Sequence, residues 1–168
     1  MLARDGRDGS EEIYAGYRLG LLLAASGRTD AALAAFEGVP CEPPPGADSA
    51  TAYFARAALL RRGDILYASG RPEAAVPVYE RVVSLWANTG DAAWALFQIG
   101  NVERRAGRVD EALERYHAVL ERWPDGRWAG MATWGVEECE RILSAARAAQ
   151  DATSAARGAR PPEAKGGT

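Results

Sequence analysis

Few side chains in this chain are placed to perform acid–base or nucleophilic chemistry. The single histidine, His117, follows an apolar helical position, so it is predicted to lie on the solvent side of its helix. Cys41 stands in a proline-rich segment, and Cys139 lies in a helical pattern without an adjacent basic residue that would lower its thiol pKa. Because no nucleophile is paired with a base, we expect no catalytic residue and no enzyme activity.

Metal and nucleotide chemistry are not supported by the residue types either. Glu103 and the group Glu137, Glu138 and Glu140 supply carboxylates, but no histidine or aspartate completes a ligand set at suitable spacing. The glycines form neither a GxxxxGK(S/T) nor a GxGxxG motif, and the two cysteines form no CxxC pair. We therefore expect no metal site and no cofactor.

Charge and hydropathy limit the kinds of partner and the location. The formal net charge of -3 argues against binding to nucleic acid or to an anionic membrane surface. No segment has the roughly 18 apolar residues of a membrane span, and acidic residues occupy the place of a secretory signal's apolar core. A soluble cytoplasmic protein with reduced cysteines is predicted. The preference for arginine over lysine and the abundant alanine are typical of a GC-rich bacterial genome.

The elements that position these side chains come from an internal repeat. A seven-residue pattern beginning with Gly-Arg occurs three times, each time seven residues after another glycine. The three copies are GRTDAAL at 27–33, GRPEAAV at 70–76 and GRVDEAL at 107–113, and the earlier glycines are Gly20, Gly63 and Gly100. Intervals of 43 and 37 residues separate the earlier glycines, and Gly135 follows 35 residues later, which is the period of a helical solenoid.

Each repeat is predicted to be a pair of amphipathic helices, because apolar residues recur every three or four positions between the glycines. The glycine that opens each seven-residue pattern is expected to end the first helix in a left-handed conformation. The earlier glycine is expected to let that helix pack closely on an alanine of the second helix. The predicted contacts join Gly20 to Ala32, Gly63 to Ala75 and Gly100 to Ala112.

These residues resemble the tetratricopeptide repeat family, in which an apolar residue and a glycine precede a second glycine, an alanine and an aromatic residue at fixed spacing. The third copy fits best, and it ends in Pro124, where the family often carries a proline. Its matching residues are Ile99, Gly100, Gly107, Ala112 and Tyr116. The resemblance implies an all-α fold, a right-handed α-solenoid of antiparallel helix pairs.

The resemblance and the periodicity together predict one domain over residues 11–148. Its predicted parts are repeats at about 13–40, 49–87 and 91–124, a proline-rich insertion at 39–48 and a capping helix at 126–148. Residues 149–168 combine alanine, glycine, proline and charge without an apolar period, and residues 1–10 are similar but without proline, so both ends are predicted to be disordered.

In the family that the chain resembles, the first helices of the repeats line a concave groove that binds a protein or a peptide. Carried onto this sequence, the groove is aromatic and apolar at its centre, with arginines toward one end that would meet an acidic ligand. The predicted groove residues are Tyr14, Tyr17, Leu21, Leu60, Asp64, Tyr67, Trp94, Phe97, Asn101, Arg104 and Arg105. Packing between neighbouring repeats is the alternative role for the aromatic members of this set.

Other functions remain open at this point. Trp86 and Trp123 recur at the same place in their repeats, which favours packing over a cofactor site. A protein-binding adaptor or scaffold is the leading hypothesis. A structural module that self-associates into a homo-oligomer is the first alternative. A bacterial cell-envelope-associated assembly factor is the second, because the segment 121–135 resembles repeat junctions in such members of the family.

Overall fold

The structure, a computed structural model, describes residues 6–158, and over these residues it contains seven helices and no strand. The helices are α1 (Gly6–Ala25), α2 (Thr29–Glu37), α3 (Ser49–Ala68), α4 (Pro72–Leu85), α5 (Gly90–Arg105), α6 (Val109–Arg122) and α7 (Ala129–Gly158). The predicted all-α arrangement of helical hairpins is confirmed.

The helices pack as consecutive antiparallel pairs in a single stack. Helices α1 and α2, α3 and α4, and α5 and α6 form three hairpins, and each second helix also packs on the first helix of the next unit. The first helices contact one another along the stack, α1 with α3 and α5 with α7. Helix α7 packs on α5 and α6 and covers the end of the third hairpin. No second helix follows α7 within the described residues.

The turn inside each hairpin is closed by a glycine, as the repeat pattern predicts. Gly27, Gly70 and Gly107 have φ angles of +74°, +78° and +81°, in the left-handed region that a side chain disfavours. The long connection between the first and second hairpins, residues 38–48, leads into α3 through a different cap. There the Asp48 carboxylate accepts a hydrogen bond of 2.7 Å from the backbone N–H of Thr51.

Close packing inside each hairpin depends on an aromatic ring, and the predicted alanine contacts are corrected here. A Cβ atom at Gly20, Gly63 or Gly100 would lie 2.5–2.7 Å from the nearest ring atom of the second helix. The rings belong to Phe36, Tyr79 and Tyr116, one in each of the three buried clusters of side chains. The absence of a side chain at the glycine therefore makes room for a fully buried ring.

The ends of the described chain differ from the sequence-based prediction of disorder. Helix α1 already begins at Gly6, and α7 continues to Gly158, ten residues beyond the predicted end of the capping helix at 148. Alanine is abundant in this final stretch and has the highest intrinsic helix propensity, which explains why it is helical without apolar packing. Residues 1–5 and 159–168, also predicted to be disordered, lie outside the described residues.

Candidate functional site

A cleft of about 300 Å³ opens on the surface formed by the first helices of the hairpins. Its lining comes from α1, α3 and α5 and from the connection that precedes α7. The lining residues are Tyr17, Tyr53, Ala57, Leu60, Arg61, Asp91, Trp94 and Trp128. Four of these side chains are aromatic, so the cleft offers large apolar faces to anything that enters it.

The two tryptophans of the cleft are held in fixed orientations. Their ring centroids lie 4.4 Å apart with an interplanar angle of 38°. Trp94 Nε1 donates a hydrogen bond of 2.9 Å to the carboxylate of Asp64, and Trp128 Nε1 donates one of 3.1 Å to the carbonyl of Gly90. The aromatic wall is therefore set before a ligand arrives, and little side-chain entropy would be lost on binding.

The charges around the cleft leave arginine in excess. Asp91 accepts a hydrogen bond of 2.6 Å from Arg56 Nε, so its charge is already balanced. Arg61 is mostly exposed, and its nearest carboxylate oxygen, on Asp64, is 3.6 Å away. The Arg127 guanidinium stacks over the Trp128 ring at 4.6 Å and makes no ion pair within the described part of the chain. Because arginine is in excess, the cleft would attract an acidic group on a ligand more than a basic group.

Asp64 and Asn101 were predicted to face a ligand, but their side chains are engaged within the fold. The Tyr79 hydroxyl donates a hydrogen bond of 2.9 Å to Asp64, and the Tyr116 hydroxyl donates one of 2.8 Å to Asn101. Burial and the Asp64 carboxylate raise the pKa of Tyr79 above its ordinary value. In the first hairpin the equivalent pair is apolar, with Leu21 and Phe36, and no hydroxyl needs a partner. Asp64 and Asn101 therefore hold the second helices of their hairpins in position through Tyr79 and Tyr116.

The other predicted groove residues are distributed over three environments. Tyr17, Leu60 and Trp94 line the cleft. Phe97 is only 3% exposed and lies 5.6 Å from the Tyr116 ring, so its predicted contact with a ligand is corrected to core packing. Tyr14 is 44% exposed and packs edge-on against Phe54 outside the cleft lining.

A basic patch lies toward the C-terminal ends of α3 and α5. Arg105 donates a hydrogen bond of 3.1 Å to the hydroxyl of Tyr67, and its guanidinium lies 5.6 Å from that ring's centroid. Arg104 stacks over the exposed ring of Trp134 in α7 at 5.5 Å. Neither arginine makes an ion pair with a carboxylate among residues 6–158. Both cations are thus held in place, with Arg105 exposed to solvent and Arg104 partly buried.

The register of α7 places Cys139 in the core. A Cβ atom at Gly100 would meet Cε1 of the Tyr116 ring, whereas one at Gly135 would meet Cε2 at 2.8 Å. Gly135 therefore faces the preceding hairpin, and it is not the structural equivalent of Gly100. Cys139 is fully buried on the same side, and burial raises the pKa of its thiol. This thiol is a small core side chain.

The remaining candidates for chemistry do not assemble into a site. His117 is exposed, as predicted, and lies away from the cleft lining. Glu103 is buried beside Arg115, with a closest oxygen to nitrogen distance of 3.7 Å. Within residues 6–158 no three of the histidines, cysteines and acidic residues form a group that could hold a metal ion. Trp86 and Trp123 are half-buried against the core clusters.

Sequence reasoning missed several residues of the cleft. Tyr53 and Arg61 were not among the predicted groove residues, and neither were Asp91 and Trp128. A signal for Tyr53 exists, since it lies one helical turn before Ala57 and two turns before Leu60 on the same face of α3. Trp128 precedes α7 in an irregular connection, where helical periodicity gives no information.

The described residues form an all-α repeat structure with an open cleft on the surface of its first helices. Residues 53–125, which span most of α3 through α6, match the family model of the tetratricopeptide repeat. This match supports the resemblance to the tetratricopeptide repeat family over these residues. Such repeats generally mediate protein–protein interactions. Among curated proteins, none matches the sequence. No helix of the described residues is long and apolar enough to cross a membrane.

Proposed function

We propose that this protein is a non-catalytic adaptor or scaffold that binds a segment of a partner protein along the first helices of its hairpins. The observation that carries the proposal is the open aromatic cleft at Tyr17, Tyr53, Trp94 and Trp128. A cleft of this volume accommodates one or two large apolar side chains. Its walls are fixed by internal hydrogen bonds, which favours recognition of a defined ligand over nonspecific association.

The partner segment that suits this surface combines a large apolar residue with acidic residues. The apolar residue enters the cleft and packs against Leu60 and Trp94. The acidic residues are attracted to Arg61 beside the cleft and to Arg104 and Arg105 in the basic patch. Arg61 is paired with Asp64 at 3.6 Å, whereas Arg104 and Arg105 make no ion pair in the described structure, so a ligand anion at the basic patch adds charge pairs without breaking internal ones.

The same proposal includes a cytoplasmic location and a bacterial source. Cys41 and Cys139 are both free, which supports a reducing compartment. The arginine and alanine bias of the sequence supports the source. Neither feature affects how the cleft would recognise a partner, so the adaptor function can be tested on the purified protein.

Selection of peptides from a displayed random library tests this function directly. Enriched peptides are expected to carry a large apolar residue with acidic residues nearby. The double reversal Arg104→Glu with Arg105→Glu is expected to weaken their binding about tenfold or more, because two attractive charge contacts become repulsive. Binding is measured by calorimetric titration of synthetic peptides.

The matched control is Arg147→Glu with Arg157→Glu, a double reversal of two exposed arginines on α7 that make no ion pair within the described residues. It changes the net charge equally and should leave peptide affinity within about twofold at moderate salt. A failure to enrich any peptide would contradict the adaptor proposal. Enrichment of basic peptides, or equal losses in both double variants, would contradict the assigned partner chemistry.

A further inference from the structure

The first helices are not evenly spaced along the stack. Helix α1 packs on α3 and α5 packs on α7, whereas no comparable backbone contact joins α3 to α5 within the described residues. The cleft lies in this gap, because most of its lining belongs to these two helices. Those lining residues are Tyr53, Ala57, Leu60 and Arg61 of α3 and Asp91 and Trp94 of α5. The gap forms a trough between α3 and α5 that runs along the helix axes.

Three hydrogen bonds join α3 to α5 across the trough. From one end to the other, they run from Arg56 to Asp91, from Trp94 to Asp64 and from Arg105 to Tyr67. An α-helix with its side chains is about 10–12 Å across, so it would have to break these bonds to enter the trough. An extended chain is narrower and passes over them.

The floor of the trough is polar beyond the cleft. Asp64 accepts a hydrogen bond from the Tyr79 hydroxyl, and Gln98, only 7% exposed, lies beside that hydroxyl. An apolar side chain of a ligand is therefore favoured at the cleft and not further along. At the far end, Arg105 is bonded to Tyr67 of α3, is exposed, and makes no ion pair within the described chain. That end favours an acidic side chain.

The distance from the cleft to Arg105 limits the conformation of a ligand that reaches both. Along α5, Trp94 and Arg105 are separated by roughly 16 Å at a rise of about 1.5 Å per residue. Along α3, Ala57 and Tyr67 are separated by roughly 15 Å for the same reason. An extended chain covers this distance in about four or five residues, because it advances about 3.3 Å per residue. A helical segment would need about ten residues.

We propose that the partner segment lies extended along the trough, parallel to the axes of α3 and α5. Its apolar residue occupies the cleft, and an acidic residue about four or five positions away pairs with Arg105. This inference rests on the proposed adaptor function and adds the direction, conformation and residue spacing of the bound segment. A segment that crossed the stack from α1 toward α7 would pass between Tyr17 and Trp128 without reaching Arg105.

Moving the acidic residue of a bound peptide tests the spacing. The probe is a peptide selected from the displayed library, with its acidic residues replaced by serine and one glutamate placed about one, four, five or ten positions from the apolar residue, on either side. Calorimetric titration is expected to give the highest affinity at the two intermediate spacings. At the shortest and longest spacings the affinity should be about three- to fivefold lower, because the pair with Arg105 cannot form. The side with the higher affinity gives the chain direction.

Charge exchange at Arg105 tests which residue pairs with the peptide. Arg105→Glu is expected to lower the affinity of the best peptide about tenfold, because attraction becomes repulsion. Replacement of the glutamate in the peptide by lysine is expected to restore the affinity of this variant to within about threefold of the original value. The control is Arg147→Glu, which alters an exposed arginine of α7 outside the trough and should leave the affinity within about twofold.

The outcomes separate this inference from the adaptor function on which it rests. Equal affinity at every spacing, the highest affinity at the longest spacing, or no restoration by lysine would overturn the extended placement along the trough. In each of these cases the peptides still bind, so the adaptor function would stand. If no peptide of the series binds, the adaptor function and this inference are both contradicted.

Discussion

Replacement of Gly100 by alanine is expected to lower the free energy of unfolding by about 1–3 kcal/mol, although alanine is the better helix former by about 1 kcal/mol. The new methyl group would lie 2.7 Å from Cε1 of the Tyr116 ring. That ring is fully buried, its hydroxyl is bonded to Asn101, and its other edge faces Gly135 at similarly close range. The ring cannot move aside, so the strain outweighs the gain in helix propensity.

The matched control for this prediction is Gly130→Ala in the first turn of α7. No atom lies within 4 Å of a Cβ atom placed there, so the substitution should leave the free energy of unfolding unchanged or raise it by less than about 1 kcal/mol. Urea unfolding followed by circular dichroism measures both variants. Equal stability of the Gly100→Ala and Gly130→Ala proteins would show that the glycine and the ring do not set the spacing of the hairpin.

Replacement of Tyr53 by alanine is expected to weaken the binding of a selected acidic peptide by about 30-fold or more. Tyr53 supplies one wall of the cleft, and aromatic side chains at the centre of an interface contribute about 2 kcal/mol or more on truncation. Because Tyr53 is 49% exposed in the absence of a ligand, the fold should lose little stability. Calorimetric titration gives the affinity, and urea unfolding gives the stability.

Tyr14→Ala is the control, because Tyr14 and Tyr53 differ mainly in their relation to the cleft. Tyr14 is 44% exposed, and both rings pack edge-on against Phe54, at centroid distances of 5.0 Å and 5.4 Å. Only Tyr53 lines the cleft. An equal loss of affinity in both variants would mean that the ligand lies along α1 or that Phe54 is displaced in both proteins. Either result would remove Tyr53 from the proposed contact.

Much of the fold could be predicted because the repeat fixes helix positions twice in each copy. Gly27 and its equivalents ended the first helices where the pattern placed them, since a positive φ angle is a local requirement visible in sequence. The predicted contact of Gly20 with Ala32 was wrong. Periodicity shows which face of a helix is buried, but it does not show which side chain extends from one helix to the other. A long ring such as Phe36 reaches where alanine cannot.

The candidate site was predictable in part for the same reason. Tyr17, Leu60 and Trp94 share a helix face that the repeat register locates. Phe97 shares that face but belongs to a buried cluster with side chains of α6 and α7, and this depends on the packing of α7 in three dimensions. The role of Asp64 had a visible signal. The facing aromatic residue is Tyr79 in the second hairpin, and its hydroxyl needs an acceptor.

Nuclear magnetic resonance of the indole N–H groups tests the central claim most directly. The five tryptophans give five indole signals, and they lie in different parts of the stack. On titration with a selected peptide, the signals of Trp94 and Trp128 are expected to shift with the occupancy of the cleft. Trp86 and Trp123, which pack beside the core clusters, should stay in place. Saturation with a bound peptide that leaves the Trp94 and Trp128 signals unmoved would contradict the claim that the cleft holds the partner.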